Sequence, residues 1–552
     1  MRMTSKSQRI KHRSLATVAV LAAGSMLLAG CSGGGSDNGT KSPAQFELTA
    51  NSAKPSGSID SFTWAIYAEP ASLDYTHAFD YPDNQVLSNV CESLLRWNSD
   101  LTVSPGLAEK WENPTPTTWV YQIRPGVKFH DGTTLTANDV AVSLNRHMDP
   151  EVGSYWASAF QNVESIKATG DMEVTVTTTK PDPLFNHYMA TSPGTIESAA
   201  TLEKDGANYG NPSTGVNCTG PFSLDAWNSG SSIILKKFNG YWDPNLAAKS
   251  NEVKFVFLPD SNARVNALKS GAVDGSWQVP SNAIDQLKTS GQGQVLFGTN
   301  TAVISEIVGD TEGVLGDPRV RKALLMAVDR KGLVQAAEQG YGTVTNSLTT
   351  KSAWMGVKDD ITNKAFSQLE SYDYNLDAAK KLIAEAGAAG KPVTIVSTNI
   401  TPGLAIVAQA FGAAATSLGL KPTIQSVSPD KYTNLFSDPA ARKGMDLLTT
   451  SWYLSVADPL DMYGVLRTGD FSNYGNWSNK DFDDTVNGAL ATMDINDRAT
   501  KSSEAQKIAN DQLPWMPLYE TPNNVWLGAK ITGLSPAINF LYYPWAATVG
   551  AK

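Results

Sequence analysis

Histidine and cysteine are scarce in this chain: five and three of 552 residues. A disulfide-dense scaffold or a thiolate-rich metal centre is therefore excluded. Beyond the N-terminal His12 there are only His77, His130, His147 and His187, and none has close metal-ligand spacing to another. No Walker loop and no H-E-x-x-H occurs. The G-x-S-x-G pattern appears only at Gly30 to Gly34, outside any strand-to-helix turn. Ser428 and Lys431 fit S-x-x-K, but Pro429 breaks the helix that would bring them together. Carboxylate pairs such as Asp458 and Asp461 meet the residue requirement of a glycosidase. A chain with 54 acids offers many such pairs by chance, so no enzyme is indicated. Basic excess is missing too: 44 Lys and Arg against 54 Asp and Glu give a net charge of −10, which disfavours nucleic acid and anionic lipid headgroups.

Long apolar runs are absent with one exception. Arg2, Lys6, Arg9, Lys11 and Arg13 precede LATVAVLAAGSMLLA, which is followed by Gly30-Cys31. That run is shorter than the roughly 20 residues a bilayer-spanning helix needs, so it reads as a secretory signal over residues 1–30. Leu28-Ala29-Gly30-Cys31 resembles a bacterial lipobox, which implies lipid attachment at Cys31 and residence on the extracytoplasmic face of the membrane. Two acyl chains on one diacylglycerol suffice for stable anchoring. Removing residues 1–30 takes away five basic and no acidic residues, moving the net charge to −15. Residues 31–58 are rich in Gly, Ser, Asn and Thr and read as a flexible tether, with the folded body starting near Ile59. Cys91 and Cys218 remain in an oxidising compartment. They either pair as a disulfide or stand as two buried thiols.

Within the body, strand-like runs alternate with amphipathic helices. WVYQIR (119–124), EVTVTT (173–178), SIILKKF (232–238), EVKFVFLP (252–259), PVTIVST (392–398) and MDLLTTSW (445–452) are β-branched or aromatic and end at turn residues. Thr136 and Asp139 have capping-box spacing, with Val140, Leu144 and His147 on one face. Asp317 can cap a helix that Pro318 opens, and Gly387 can stop the one containing Leu382, Ile383 and Ala386. This alternation predicts an α/β protein.

Several stretches together resemble the large peptide/opine/nickel family, family 5, of solute-binding proteins of ABC importers. The most specific is PGLAEKWENPTPTTWVYQIRPGVKFHDGTTLTANDVAVSLNR (105–146). EPASLD (69–74), TGPFSL (219–224), DSNARVNALKSGAVDG (260–275), DPRVRKALLMAVDR (317–330) and LPWMPLYE (513–520) follow the family's order. The resemblance implies a two-lobed periplasmic-binding-protein-like fold, in the large form with an extra subdomain. Lobe one would hold 59–297 and 521–552, lobe two 298–520, with hinge crossovers between them. A monomer would capture a small solute and pass it to membrane permease subunits, without cofactor or metal. Peptides are the first solute class implied. An uncharged or oligosaccharide-like solute, and a surface interaction protein that has lost its pocket, are the alternatives.

The stretch SWYLSVADPLD (451–461) resembles the family's lobe-two cleft segment. Trp452 would offer an aromatic wall, with a core role as the rival reading. Asp458-Pro459 shapes a turn more readily than it touches a solute. Further cleft candidates are Asp458, Asn473, Tyr474, Glu69 and Trp277. Peptide-binding members often carry an Asp three residues after that Trp, paired with the peptide's α-ammonium. Here the position is Ser455, so a peptide would need another acid, Asp458 or Glu69.

Overall fold

The computed structural model describes residues 46–552. The expected signal over 1–30, the expected lipid attachment at Cys31 and the first part of the expected tether lie outside the described residues. No helix among the described residues is long and apolar enough to cross a membrane.

Two mixed sheets define two lobes. The first has seven strands, in spatial order Phe222–Asn228, Ser232–Lys237, Ser250–Phe257, Ile59–Ile66, Gly275–Trp277, Asn523–Gly528 and Gly293–Gly298. Its centre is parallel: Ile59–Ile66 runs alongside Ser250–Phe257 in register Trp64 to Phe255. The second has six strands, ordered Thr343–Val344, Trp515–Glu520, Val303–Val308, Leu447–Trp452, Pro392–Thr398 and Lys421–Val427. Here Pro392–Thr398 runs parallel to both Lys421–Val427 and Leu447–Trp452. The chain leaves the first sheet at Gly298, enters the second at Val303, and returns between Glu520 and Asn523. These two crossovers are tied together, because the Asn300 amide donates to the Thr521 carbonyl at 3.0 Å.

Local chemistry explains the elements. Thr136 caps the helix Ala137–Asn145 through a full capping box with Asp139. Asp317 accepts from the Arg319 N–H at the start of Pro318–Met326, where the missing N–H of Pro318 costs nothing. Gly387, at φ 60°, ends the helix Leu376–Glu385 in a conformation that other residues reach only with strain. Helix Ala137–Asn145 covers a separate four-stranded antiparallel sheet, ordered Ala108–Thr115, Thr118–Ile123, Glu173–Thr178 and Val163–Gly170. This is an extra subdomain on lobe one. Cys91 and Cys218 are joined by a disulfide, with Cα atoms 4.8 Å apart.

The expected tether ends sooner than residue 58. From Phe46 onward the segment lies against lobe one: Phe46 packs on Phe297 at 5.5 Å, and Thr49 N–H donates to the Phe297 carbonyl at 2.6 Å. The Ser52 hydroxyl accepts from the N–H groups of Gly533 and Leu534 at 2.7 and 3.0 Å. Composition suggested a free coil because the segment has little apolar surface. Backbone and hydroxyl hydrogen bonds order it instead.

Candidate functional site: the seam between the lobes

Parallel strands of both lobes end at one seam, the place where open α/β sheets present their ligand sites. Lobe one contributes Tyr67, which follows Ile59–Ile66, and the turn Phe79-Asp80-Tyr81. Lobe two contributes Trp452 and Tyr453 at the end of Leu447–Trp452, and Tyr432 from Pro429–Ser437. The lobes touch here. Tyr453 donates to the Phe79 carbonyl at 2.6 Å, and its ring meets that of Tyr81 edge to face at 5.2 Å. Tyr188 of lobe one donates to the Asp461 carboxylate of lobe two at 2.7 Å. Nearer the hinge, Ser281 donates to Glu338, and Lys288 and Asp285 both bond the Tyr341 hydroxyl.

Tyr67, Asp80, Tyr81, Tyr188, Tyr453 and Asp461 each keep some accessible surface. All are nonetheless strongly desolvated. Burial pushes the phenols of Tyr67, Tyr188 and Tyr453 well above their usual value. It raises the Asp80 carboxyl and moves Asp461 up to about 6, against the opposing hydrogen bonds from Tyr188, Ser455 and Val456. The seam between the lobes is therefore rich in tyrosine and carries two carboxylates.

The sequence candidates separate sharply against this geometry. Trp452 is half-buried at the strand end, edge-on to Trp515 at 5.0 Å and tilted on Phe436, and its indole N–H has no partner among the described residues. Ser455 is nearly buried, and its N–H donates to Asp461 at 2.7 Å. Tyr474 lies one layer back: it stacks on Trp515, carries the Arg442 guanidinium at 4.4 Å and donates to the Phe436 carbonyl.

The other four have their polar atoms or faces engaged within the protein, and Asp458 shapes the turn expected of it. Glu69 accepts from the Trp227 indole at 2.7 Å and the Gly230 N–H at 2.8 Å, one on each oxygen. Asp458 is paired with buried Arg498 at 2.9 Å and caps the Leu460 N–H. The Asn473 amide donates to the carbonyls of Leu466, Arg467 and Trp477 and its oxygen accepts from Trp477, closing a loop. Trp277 is 2 % exposed in the lobe-one core, stacked on Phe540 at 4.1 Å and edge-on to Trp545. Sequence reasoning missed Tyr67, Asp80, Tyr81, Tyr188 and Tyr453. Asp80 precedes Tyr81-Pro82 and looks like a plain helix cap, which conceals its second role. The remaining signal was a run of aromatics around it, in DYTHAFDYPD.

Two lobes joined by paired crossovers, with an aromatic cleft at the strand ends, define a binding protein that encloses its ligand between domains. The chain belongs to the bacterial extracellular solute-binding proteins, family 5, whose model matches residues 102–474. It is 25 % identical over 463 residues to the glutathione-binding protein GsiB of Escherichia coli (strain K12), covering 82 % of this chain and 88 % of that one. The fold superposes on DppA of Helicobacter pylori in complex with peptide STSA, with a TM-score of 0.80, 21 % identity, and 90 % and 98 % of the two chains covered. It also superposes on AgaA of A. tumefaciens R10 in complex with agropinic acid, with a TM-score of 0.78, 24 % identity, and 89 % and 99 % covered. The family is one of solute-binding proteins of ABC importers, which bind their solutes rather than convert them.

Proposed function

We propose that this chain captures one small solute, peptide-like before other classes, by closing its lobes and delivers it to the permease of an ABC importer. In this reading Cys31 anchors it by lipid to the extracytoplasmic face of the membrane, and it works as a monomer. The observation that carries the reading is the gathering of Tyr67, Tyr81, Tyr432 and Tyr453 at the seam where the strands of both lobes end. Phenolic rings supply flat apolar contact and hydroxyls that donate and accept, which suits peptide backbone and side chains together. Relatives that hold glutathione or peptide STSA support this class.

Ser455 favours one further reading. A neutral hydroxyl three residues after Trp452, whose indole N–H has no partner among the described residues, also fits an uncharged, oligosaccharide-like solute. A thermal-shift and small-angle scattering screen with short peptides, oligosaccharides and metal chelates tests both. Binding to the native state alone stabilises it by about 2.7 kcal/mol at one hundred times Kd, so melting should rise by several degrees with the fitting class. Compaction without conversion of the solute is the expected companion result. A flat response to all classes would leave a surface interaction protein without a pocket.

A further inference from the structure

Asp80 does more than cap a helix. Its Oδ1 accepts from the Tyr81 N–H at 2.7 Å and from the Tyr67 hydroxyl at 2.9 Å. Those two bonds complete the cap of Tyr81–Val90 and fix the side chain's orientation. Oδ2 takes no hydrogen bond among the described residues, and no Lys, Arg or His lies within 4.0 Å of the carboxylate there. The side chain nevertheless keeps accessible surface, and its charge acts on Tyr432 and Tyr453 of the opposite lobe. Arg264 lies within electrostatic reach of Tyr67, and its guanidinium donates to the Leu258 carbonyl at 2.7 Å.

A carboxylate with one oxygen satisfied and one free, walled by phenol rings, is an incomplete ion pair. An isolated buried charge is costly, and a cation that completes it gains both the charge pair and the ring faces. We infer that Asp80 is the anchor for a protonated amine of the solute, with Tyr67, Tyr81 and Tyr453 forming the aromatic box around it. The inference rests on the capture function proposed above and names its chemistry. Ser455, three residues after Trp452, offers no carboxylate for this role, whereas Asp80 on the facing lobe does. Asp458 and Glu69 cannot take the part, since Arg498, Trp227 and Gly230 occupy them.

The test is titration calorimetry of the full mature chain with a tetrapeptide library and the same library N-acetylated, supported by native mass spectrometry. Wild type should bind free-amine peptides at least tenfold tighter than acetylated ones. Asp80→Asn retains a side-chain oxygen for both the cap and Tyr67, so it should fold and lose that preference. Asp80→Ser, also a competent cap, should lose it as well and covers the case in which the Asn variant is unstable. Equal affinity for both libraries in wild type would overturn the inference, as would a preference that survives in both variants. Retention of oligosaccharides with no peptide bound would overturn it while leaving solute capture standing. Retention of nothing from any class would overturn the capture function itself.

Discussion

Glu306 gives the sharpest stability prediction. It sits in the strand Val303–Val308, fully buried in lobe two. The Thr449 hydroxyl donates to Oε1 at 2.6 Å, while Oε2 has no partner among the described residues. Burial raises its carboxyl from 4.5 to about 8, with only the Thr449 bond opposing. The folded chain therefore holds a proton that the unfolded chain releases above about pH 4.5. The contribution is fully present below that pH and is lost as pH rises toward 8, at up to about 1.36 kcal/mol per pH unit. Between about pH 5 and 7.5 the loss amounts to about 3 kcal/mol. Glu306→Gln keeps the acceptor for Thr449 and removes the titration. Urea unfolding of both proteins across this range isolates the effect, because every other titrating group is shared and cancels in the difference. The gap between variant and wild type should widen with pH by about 3 kcal/mol. Parallel curves for the two proteins would refute the assignment of a buried proton to Glu306.

Three further outcomes are expected. Replacing Cys91 and Cys218 together by alanine opens a loop whose ends are 127 residues apart and should cost about 5 kcal/mol by the loop-entropy relation, read as a lower melting temperature; unchanged melting would contradict it. Arg498→Ala strands the buried Asp458 carboxylate and should cost about 3–5 kcal/mol, whereas removing both charges together should cost less, a non-additivity that a double-mutant cycle detects. Cys31→Ser should release the chain from membranes or leave its leader uncleaved, and fractionation with mass analysis of the first residue decides it; an unmodified, freely secreted wild type would count against the anchor.

Much of the scaffold was legible because its signals are local. Pro392–Thr398 and Glu173–Thr178 occupy the residues their β-branched runs mark, and the Thr136–Asp139 box and Pro318 start helices where their chemistry demands. The cleft was less legible because its partners are remote in sequence. Tyr188 and Asp461 stand 273 residues apart, and Tyr453 and Phe79 stand 374 apart. Sequence spacing carries no trace of such pairs. The partners of Glu69 and Asp458 were hidden for the same reason: Trp227 and Arg498 come from distant segments, although the turn at Asp458-Pro459 was legible locally. Asp80 was hidden by doing two things at once, since a cap satisfies one oxygen and says nothing of the other.

Native mass spectrometry of the full mature chain, incubated with peptides, oligosaccharides and metal chelates and then desalted, tests solute capture most directly. One solute per chain, released unaltered on unfolding and absent once the cleft wall is cut back by Tyr81→Ala with Tyr453→Ala, is the predicted result. Retention that survives those two substitutions, release of a chemically changed solute, or no retention from any class would contradict it.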